Sequence, residues 1–287
     1  MTLRDYIIEG QNILKEAGIS DYENDTRVLA MFAFGISYSD MFMKMTEEMN
    51  EEDAEFYLDC INLRSTHMPC QYITGSQNFM GYEFITEDGV LIPRQETELL
   101  VEKALELTSG LKDCKALDMC TGSGCIGISY ELKRREDGHK GDEIHLADIS
   151  DDAIYVAEKN KYKLGAKCSI IKTDLFENIK DKYDIIMSNP PYIRTSDIDD
   201  IMEEVRDFEP RLALDGDEDG LSFYKRLAEQ ARDYLYKDGI LIMEIGFDQY
   251  EEVKELLINN KFYNISLIKD YSGLDRIVTA YASEHDY

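Results

Sequence analysis

The sequence predicts an α/β fold in which a mostly parallel sheet with helices on its faces follows a small helical domain. Up to residue 67 the apolar residues recur at the three- and four-residue spacing of amphipathic helices. Beyond Pro93, apolar segments of strand type alternate with helical segments, which is the pattern of a parallel sheet. The 287 residues are enough for two domains.

The first predicted domain, residues 1–67, is helical. Its helix-spaced apolar positions include Ile7, Leu14, Leu29 and Ile61. We interpret the Met and Phe stripe that contains Met41 and Phe42 as core, with a partner-docking face as the alternative. We expect the domain to help bind a macromolecular substrate.

A junction follows over residues 68–92. Pro69 interrupts the helical pattern, and the stretch from Tyr72 to Ile85 is rich in Gly, aromatic and β-branched residues. This composition predicts a β-hairpin.

Residues 93–287 form the predicted sheet domain. Helices are expected over residues 97–108 and from Cys125 onward. Strands are expected at residues 116–119, up to 149, and at 169–172, 184–187, 239–245, 264–268 and 277–281, the last of them antiparallel. The acid-rich stretch 197–219 is expected to be a solvated surface segment.

The composition restricts the class of partner. Asp and Glu number 59 against 31 Lys and Arg, so the formal net charge is -28, which repels polyphosphate and makes nucleic acid a poor partner. No apolar run of membrane-spanning length and no signal segment occur, so we expect a cytoplasmic protein without membrane binding. The six cysteines lack a C-x-x-C pair, and we expect no metal site from these thiols or from the four histidines, His67, His139, His145 and His285.

A glycine-containing turn follows the first predicted strand of the sheet. The residues Cys120-Thr121-Gly122-Ser123-Gly124 lie between that strand and a helix, where doubly wound sheets bind nucleotides. A merely tight turn is the alternative. Asp148 ends the next strand, where a carboxylate can accept hydrogen bonds from both ribose hydroxyls, although a helix N-cap is its alternative role.

The third predicted strand ends at Asp174 and Leu175. The Asp174 carboxylate is placed to accept from an adenine amino group, and Leu175 would lie beside the base. One adenosine-sized ligand would then contact the ends of four strands, the fourth of which contributes Asn189.

The fourth strand runs into Asn189-Pro190-Pro191-Tyr192, which suits a pocket for a planar NH2 group. The Asn189 side-chain oxygen and the Pro190 carbonyl can accept both hydrogens of one nitrogen, while Tyr192 stacks over the bound plane. The alternative is a strand end broken by two prolines.

With these strand ends the chain resembles the class I S-adenosylmethionine-dependent methyltransferases, whose domain is Rossmann-like. Four further motifs make it similar to the peptide chain release factor glutamine methyltransferases over nearly its whole length. These motifs are Gln71-Tyr72-Ile73-Thr74-Gly75, Leu91-Ile92-Pro93-Arg94-Gln95-Glu96-Thr97-Glu98, Val205-Arg206-Asp207-Phe208-Glu209-Pro210 and Asp270-Tyr271-Ser272-Gly273-Leu274-Asp275-Arg276.

The resemblance implies methyl transfer from S-adenosyl-L-methionine, with S-adenosyl-L-homocysteine as product. The implied substrate is the side-chain amide of the glutamine in the Gly-Gly-Gln loop of bacterial class I release factors, and the implied enzyme is a monomer. Cofactor binding is implied for residues 120–124, Asp148, Asp174, Leu175 and Asn189. Substrate binding is implied for residues 189–192, with catalysis by Asn189, Pro190 and Tyr192.

Phe79 and Arg94 border the substrate pocket in the family. Their alternatives are a core aromatic for Phe79 and a surface ion pair with Glu96 or Glu98 for Arg94. The chain departs from the family pattern at Cys120, where many relatives have Gly, and at Leu175, where an aromatic is frequent.

Two rival functions are weighed against this resemblance. An amino-group methyltransferase acting on DNA or RNA shares the Asn189 motif but needs a basic track for phosphates, whereas the stretch after Tyr192 is acidic. A non-catalytic scaffold with the same fold would be expected to lose Asn189 or Asp148 first.

Overall fold

A computed structural model describes residues 1–284, and the chain divides into two compact units. The helical unit comprises Met1–Ser76 and Met202–Phe208. The sheet unit comprises Gln77–Ile201 and the chain from Glu209 onward. His285, considered above as a metal ligand, lies outside the described residues.

Five helices form most of the helical unit: α1 (Leu3–Glu16), α2 (Tyr22–Ala33), α3 (Tyr38–Met43), α4 (Glu51–Ser65) and α5 (Cys70–Thr74). Side-chain caps define where three of them begin, since Thr2, Ser37 and Asn50 each accept a hydrogen bond from a backbone N–H of the first turn. Met41 is buried as predicted, but Phe42 is exposed, so the core interpretation is wrong for Phe42.

The hairpin consists of β1 (Ser76–Phe79) and β2 (Tyr82–Ile85). Met80 and Gly81 connect the strands with φ of 54° and 83°, as expected for a two-residue hairpin turn of type I′. The predicted hairpin began too early, because residues 72–74 belong to α5, which starts directly after Pro69.

The sheet unit contains a seven-stranded sheet in the order β5-β4-β3-β6-β7-β9-β8. Its strands are β3 (Lys115–Met119), β4 (Glu143–Asp148), β5 (Cys168–Lys172), β6 (Tyr183–Ser188), β7 (Leu235–Glu244), β8 (Tyr263–Lys269) and β9 (Asp275–Tyr281). The first five are parallel, and β9 runs antiparallel between β7 and β8. The predicted fold class is confirmed.

Helices cover both faces of this sheet, and alternate strand residues supply the two cores. Ile144, Leu146 and Met187 pack on one face, whereas Leu117, Ile186 and Leu241 pack on the other. The helices of the sheet unit are α6 (Gln95–Thr108), α7 (Cys125–Glu136), α8 (Asp151–Leu164), α10 (Arg211–Leu214), α11 (Ser222–Gln230) and α12 (Tyr250–Asn259), whereas α9 (Glu203–Phe208) belongs to the helical unit. Across residues 1–284, every helix is too short or too polar to cross a membrane.

The strand register brings the residues that follow β3, β4 and β6 together. Met119 lies opposite Ala147 on one side and opposite Ser188 on the other. The chain passes from β3 to β4 and β5 on one side and later returns to β6 on the other side, so a topological switch point lies between β3 and β6. In open α/β sheets the carboxyl edge at such a point is where ligands bind.

A buried arginine holds α9 in the helical unit. Arg64 is 6% exposed and its guanidinium lies 2.7 Å from the Asp25 carboxylate and 2.6 Å from the Glu204 carboxylate, and it donates to the Met68 carbonyl at 3.2 Å. Burial raises the pKa of Asp25 despite this partner. The arginine therefore satisfies a carboxylate that would otherwise be buried without a counter-charge.

Replacing Arg64 with methionine should lower the free energy of unfolding by about 3 kcal/mol, because Asp25 would lose its charged partner in the interior. Calorimetric unfolding of the whole protein measures the change. Arg27→Met is the matched control, since Arg27 and Glu23 form a 3.8 Å pair between exposed side chains, and its cost should stay below about 0.5 kcal/mol. Equal costs for the two variants would contradict a stabilising role of the Arg64 cluster.

Candidate active site

A cavity of about 210 Å³ lies in the sheet unit at the carboxyl edge of the parallel strands. Residues that follow four neighbouring strands line it, together with residues from the segments before α6 and around α10. The sequence-predicted residues among its lining are Arg94, Cys120, Thr121, Gly122, Ser123, Asp148, Asp174, Leu175, Asn189 and Pro191.

The turn after β3 has an unusual backbone. Cys120, Gly122 and Gly124 have φ of 60°, 54° and 82°. Gly124 suits this position because its φ of 82° lies in the left-handed region that favours glycine, and a Cβ there would also approach the Ile128 Cδ1 atom to 2.8 Å. Cys120 adopts the left-handed conformation although it carries a side chain, which costs about 1 kcal/mol.

A buried aspartate on β3 fixes this turn. Asp118 Oδ2 accepts a hydrogen bond from the Thr121 hydroxyl at 2.5 Å and another from the Gly127 N–H at 2.9 Å. Burial raises the pKa of Asp118 to about 7 in spite of these two donors. Sequence reasoning treated Asp118 as a strand residue, although a carboxylate in an apolar strand just before a glycine turn was an available signal.

Asp148 links the ends of β3 and β4. One carboxylate oxygen accepts from the Gly122 N–H and the other from the Ser150 N–H, both at 2.9 Å. Ser150 is itself the N-cap of α8, where it accepts from the Ala153 N–H, so the N-cap alternative for Asp148 is wrong. Burial raises the pKa of Asp148. Each oxygen retains a lone pair for a hydroxyl of a bound ligand.

Two of the predicted cofactor-binding residues, Asp174 and Leu175, follow β5. Leu175 is 3% exposed, has φ of 45° and lines the cavity with an apolar surface. Asp174 forms an ion pair with Arg226 on α11, with 2.7 Å between Oδ1 and the guanidinium. The sequence did not indicate Arg226, because its partner lies on a different element far along the chain.

Asn189 follows β6 and joins a chain of polar side chains. Its Nδ2 lies 3.4 Å from the Thr97 hydroxyl oxygen, and the Thr97 hydroxyl donates to Glu244 Oε2 at 2.6 Å. The Tyr192 hydroxyl lies 3.4 Å from Glu244 Oε1. Burial raises the pKa of Glu244, while Thr97, Tyr192 and the positive charge of Arg276 favour its ionised form.

A second contact fixes the main chain beyond Asn189. Gln249 is 2% exposed, and its amide nitrogen donates to the Tyr192 carbonyl at 3.0 Å and to the Gly220 carbonyl at 3.1 Å. The Gln249 side-chain oxygen accepts from the Gly246 N–H at 3.0 Å. The segment that carries Asn189 is therefore held by a side chain from the connection between β7 and α12.

Arg94 lines the cavity but does not pair with Glu96 or Glu98. It forms an ion pair with Glu209, whose side chain is 1% exposed and also accepts from the Ile92 N–H at 3.2 Å. The alternative of a surface ion pair between Arg94 and Glu96 or Glu98 is therefore wrong. The prediction that the acid-rich stretch 197–219 is a solvated surface segment is wrong for Glu209. Its buried carboxylate accepts from the Ile92 N–H and pairs with Arg94.

Four predicted residues lie outside the cavity lining. Gly124 begins α7, Pro190 is buried, and Tyr192 contacts Glu244 and the sheet core. Phe79 is fully buried and packs edge-on against Phe84 with 6.0 Å between ring centroids. The structure thus places Phe79 in the core of the sheet unit, in agreement with its alternative.

Residues 1–284 contain no candidate metal site formed by three or more His, Cys, Asp or Glu side chains.

Comparison with known proteins places these observations in a family. Residues 5–75 match the model of the PrmC N-terminal domain, and residues 83–208 match that of the methyltransferase small domain. A release factor glutamine methyltransferase of Clostridium acetobutylicum is 38% identical over 285 residues, which cover 98% of each chain. The chain belongs to the release factor glutamine methyltransferase family.

A second relative agrees with this assignment, and a solved structure shares the fold. The release factor glutamine methyltransferase of Streptococcus pneumoniae is 39% identical and covers 85% of this chain and 86% of its own. A T. thermophilus 16S rRNA methyltransferase, solved with AdoMet and guanosine, matches with a TM-score of 0.51 at 17% identity, over 72% of this chain and 49% of its own. At that identity the match shows the methyltransferase fold.

Proposed function

We propose that the protein transfers a methyl group from S-adenosylmethionine to the side-chain amide nitrogen of the glutamine in the Gly-Gly-Gln loop of bacterial class I release factors. The observation that carries this proposal is the position of Asn189. Its carboxamide borders the cavity at the strand end beside β3, with its nitrogen directed to Thr97. The side-chain oxygen is then left to accept a hydrogen bond from the substrate amide.

The residues around the cavity fit S-adenosylmethionine. Asp148 offers both carboxylate oxygens to the ribose hydroxyls, because its backbone donors occupy one lone pair each. Asp174 is a candidate acceptor for the adenine amino group, and Leu175 supplies an apolar surface beside the base. The turn at residues 120–124 would hold the methionine portion. When bound, the cofactor supplies a methyl group on a positively charged sulfur. That sulfur is a good leaving group because it becomes a neutral thioether when the methyl group is transferred.

The chain's own contribution is to position a poor nucleophile. The lone pair of an amide nitrogen is delocalised into its carbonyl, so orientation matters more than for an amine. Asn189 Oδ1 and the Pro190 carbonyl would accept the two N–H groups and hold the nitrogen in line with the methyl carbon, and such positioning lowers a barrier by several kcal/mol. The Tyr192 ring, fixed through Glu244 and Gln249, would cover the carboxamide plane.

Proton removal in this proposal needs no strong base beside the nitrogen. An amide nitrogen that has gained a methyl group and kept both hydrogens carries a positive charge and loses one proton readily to solvent water. Asn189 and the Pro190 carbonyl remain as the acceptors on that nitrogen. The Glu244 carboxylate is engaged by Thr97 and Tyr192.

The charge of the chain supports a protein substrate over a nucleic acid. The net charge is -28, and the segment after Tyr192 contains Asp197, Asp199 and Asp200 on the surface. This acidic surface would repel phosphates. An amino-group methyltransferase that acts on duplex DNA or on RNA would need the opposite charge there.

The test of this proposal offers the enzyme two substrates together with labelled cofactor. A purified class I release factor should be labelled, and a duplex oligonucleotide should not. A release factor whose loop glutamine is replaced by glutamate is the control, and it should remain unlabelled. Label in the oligonucleotide with none in the release factor would favour the nucleic-acid rival, and cofactor binding without any transfer would favour a scaffold.

We further propose a division of labour along the chain, with docking by residues 1–67, a junction over 68–92 and methyl transfer by 93–287. Phe32 and Phe56 support a docking role, because both are exposed on the helical unit with 5.7 Å between their ring centroids. Exposed aromatic pairs are common anchors at protein interfaces.

Replacing Phe32 and Phe56 together with serine should raise the KM for release factor about tenfold or more, since interface aromatics commonly contribute 2 kcal/mol or more. The kcat and the cofactor affinity should stay unchanged. Tyr162→Ser is the control, because Tyr162 is a 91% exposed aromatic of the sheet unit. An unchanged KM in the double variant would contradict docking through this aromatic pair.

A further inference from the structure

The Asn189 carboxamide has two ends of nearly equal size and opposite hydrogen-bonding character. Its oxygen accepts and its NH2 donates. A substrate NH2 group can be held by the oxygen, whereas a rotated Asn189 would set two NH2 groups against each other. Something must therefore fix the rotation of this side chain before the substrate arrives.

The structure provides that constraint through Thr97 near the start of α6. The Thr97 hydroxyl has a single hydrogen, and at 2.6 Å from Glu244 Oε2 it is donated to the carboxylate, which in its ionised form can only accept. The Thr97 oxygen is then an acceptor toward Asn189. Asn189 Nδ2, at 3.4 Å, is the group that faces it.

Burial makes this arrangement selective. Thr97 and Glu244 are each 2% exposed, so the cost of a mismatched hydrogen bond is not relieved by surrounding water. Burial raises the pKa of Glu244, and hydrogen bonds from Thr97 and Tyr192 and the nearby Arg276 guanidinium oppose that shift and favour the carboxylate form. Glu244 is also fixed in place, because it ends β7 and its backbone carbonyl accepts from the buried Tyr224 hydroxyl at 3.1 Å.

We propose that Glu244 and Thr97 form a directional relay that turns the oxygen of Asn189 toward the substrate nitrogen. Thr97 and Glu244 are thus positioning residues for methyl transfer and act through Asn189. This inference rests on the proposed function, since it assigns the relay to the same amide-binding site.

Thr97→Val tests the relay because it removes the hydroxyl and keeps the shape of the side chain. The kcat for release factor methylation should fall about tenfold, the effect of losing one buried hydrogen bond in the transition state. The KM for release factor and the affinity for S-adenosylhomocysteine should change less than about twofold. Thr97→Ser restores the hydroxyl and should recover most of kcat.

Thr108→Val is the matched control on the same helix. Thr108 is fully buried, donates to the Ala104 carbonyl at 2.7 Å and lies 2.7 Å from the Tyr130 hydroxyl, away from the cavity lining. It should lower the melting temperature but leave kcat intact. An equal fall in kcat for Thr97→Val and Thr108→Val, or full turnover by Thr97→Val, would overturn the relay.

Glu244→Gln supplies a second test that does not depend on tolerance of valine. A glutamine side chain can donate a hydrogen bond to the Thr97 oxygen as well as accept one from its hydroxyl. Thr97 could then either accept from Asn189 or donate to it. The substitution also removes a buried negative charge that interacts with Arg276, so the melting temperature is measured together with kcat. We expect kcat to fall at least about threefold, the effect of a partly lost hydrogen bond, with cofactor affinity preserved. Full turnover in this variant would also overturn the relay.

These outcomes separate the relay from the function on which it rests. Wild-type enzyme that fails to label release factor would refute the proposed function. Wild-type enzyme that labels it, alongside a Thr97→Val variant of full kcat, would refute the relay alone.

Discussion

Replacing Asn189 with alanine should lower kcat for release factor methylation by about a hundredfold to a thousandfold, the effect of removing a key hydrogen-bonding group from an active site. The substrate amide would lose its side-chain acceptor, and its nitrogen would no longer be held in line with the methyl group. Cofactor affinity should be largely retained, because the groups proposed for the ribose and adenine lie at the ends of β4 and β5. Single-turnover transfer of labelled methyl measures the loss, and titration with S-adenosylhomocysteine measures the affinity.

Asn178→Ala is the control for this experiment. Asn178 follows β5, is exposed, and donates to the Lys172 carbonyl at 3.0 Å. It should retain full turnover. Normal transfer by Asn189→Ala would refute the role of Asn189, and an equal loss of cofactor binding and of turnover would assign Asn189 to the cofactor instead.

Replacing Asp148 with alanine should weaken the binding of S-adenosylhomocysteine by at least about a hundredfold. Two charge-assisted hydrogen bonds to the ribose would be lost, each contributing about 1.5 to 3 kcal/mol. The Gly122 and Ser150 N–H groups would also lose their acceptor, which loosens the turn after β3. Calorimetric titration of the folded variant measures the change.

Asp151→Ala is the control for Asp148. The Asp151 side chain is 82% exposed and pairs with Lys172 on the surface of the sheet unit. Its removal should leave the affinity within about twofold, as expected for an exposed pair. Unchanged affinity in Asp148→Ala would contradict the proposed ribose contact and would shift the cofactor away from the end of β4.

The elements of the sheet unit were predictable because each strand is a short apolar run followed by polar or glycine residues. The register then brings Asp148 and Asn189 to one edge from positions well separated in sequence. The beginning of the hairpin was not predictable in the same way. The aromatic and β-branched residues before Gly75 suit a strand, yet Pro69 begins a helical turn there.

The supporting residues of the site escaped sequence reasoning for a common physical reason. Thr97 is an ordinary helical residue and Gln249 lies just before α12, and each matters through a partner on a distant element. Glu209 sits in an acid-rich stretch that suggests solvent, although it is buried against Arg94. Glu244 did offer a signal, as a carboxylate directly after a buried apolar strand. Such pairings depend on tertiary structure rather than on local pattern.

A crystal structure of the enzyme with S-adenosylhomocysteine and a release factor tests the central claim most directly. We expect the substrate carboxamide nitrogen to lie about 3 Å from both Asn189 Oδ1 and the Pro190 carbonyl oxygen. Asn189 Nδ2 should face the Thr97 hydroxyl, and the cofactor sulfur should lie on the side of the nitrogen opposite these two acceptors. A carboxamide bound elsewhere, or an Asn189 side chain whose nitrogen faces the substrate, would contradict it.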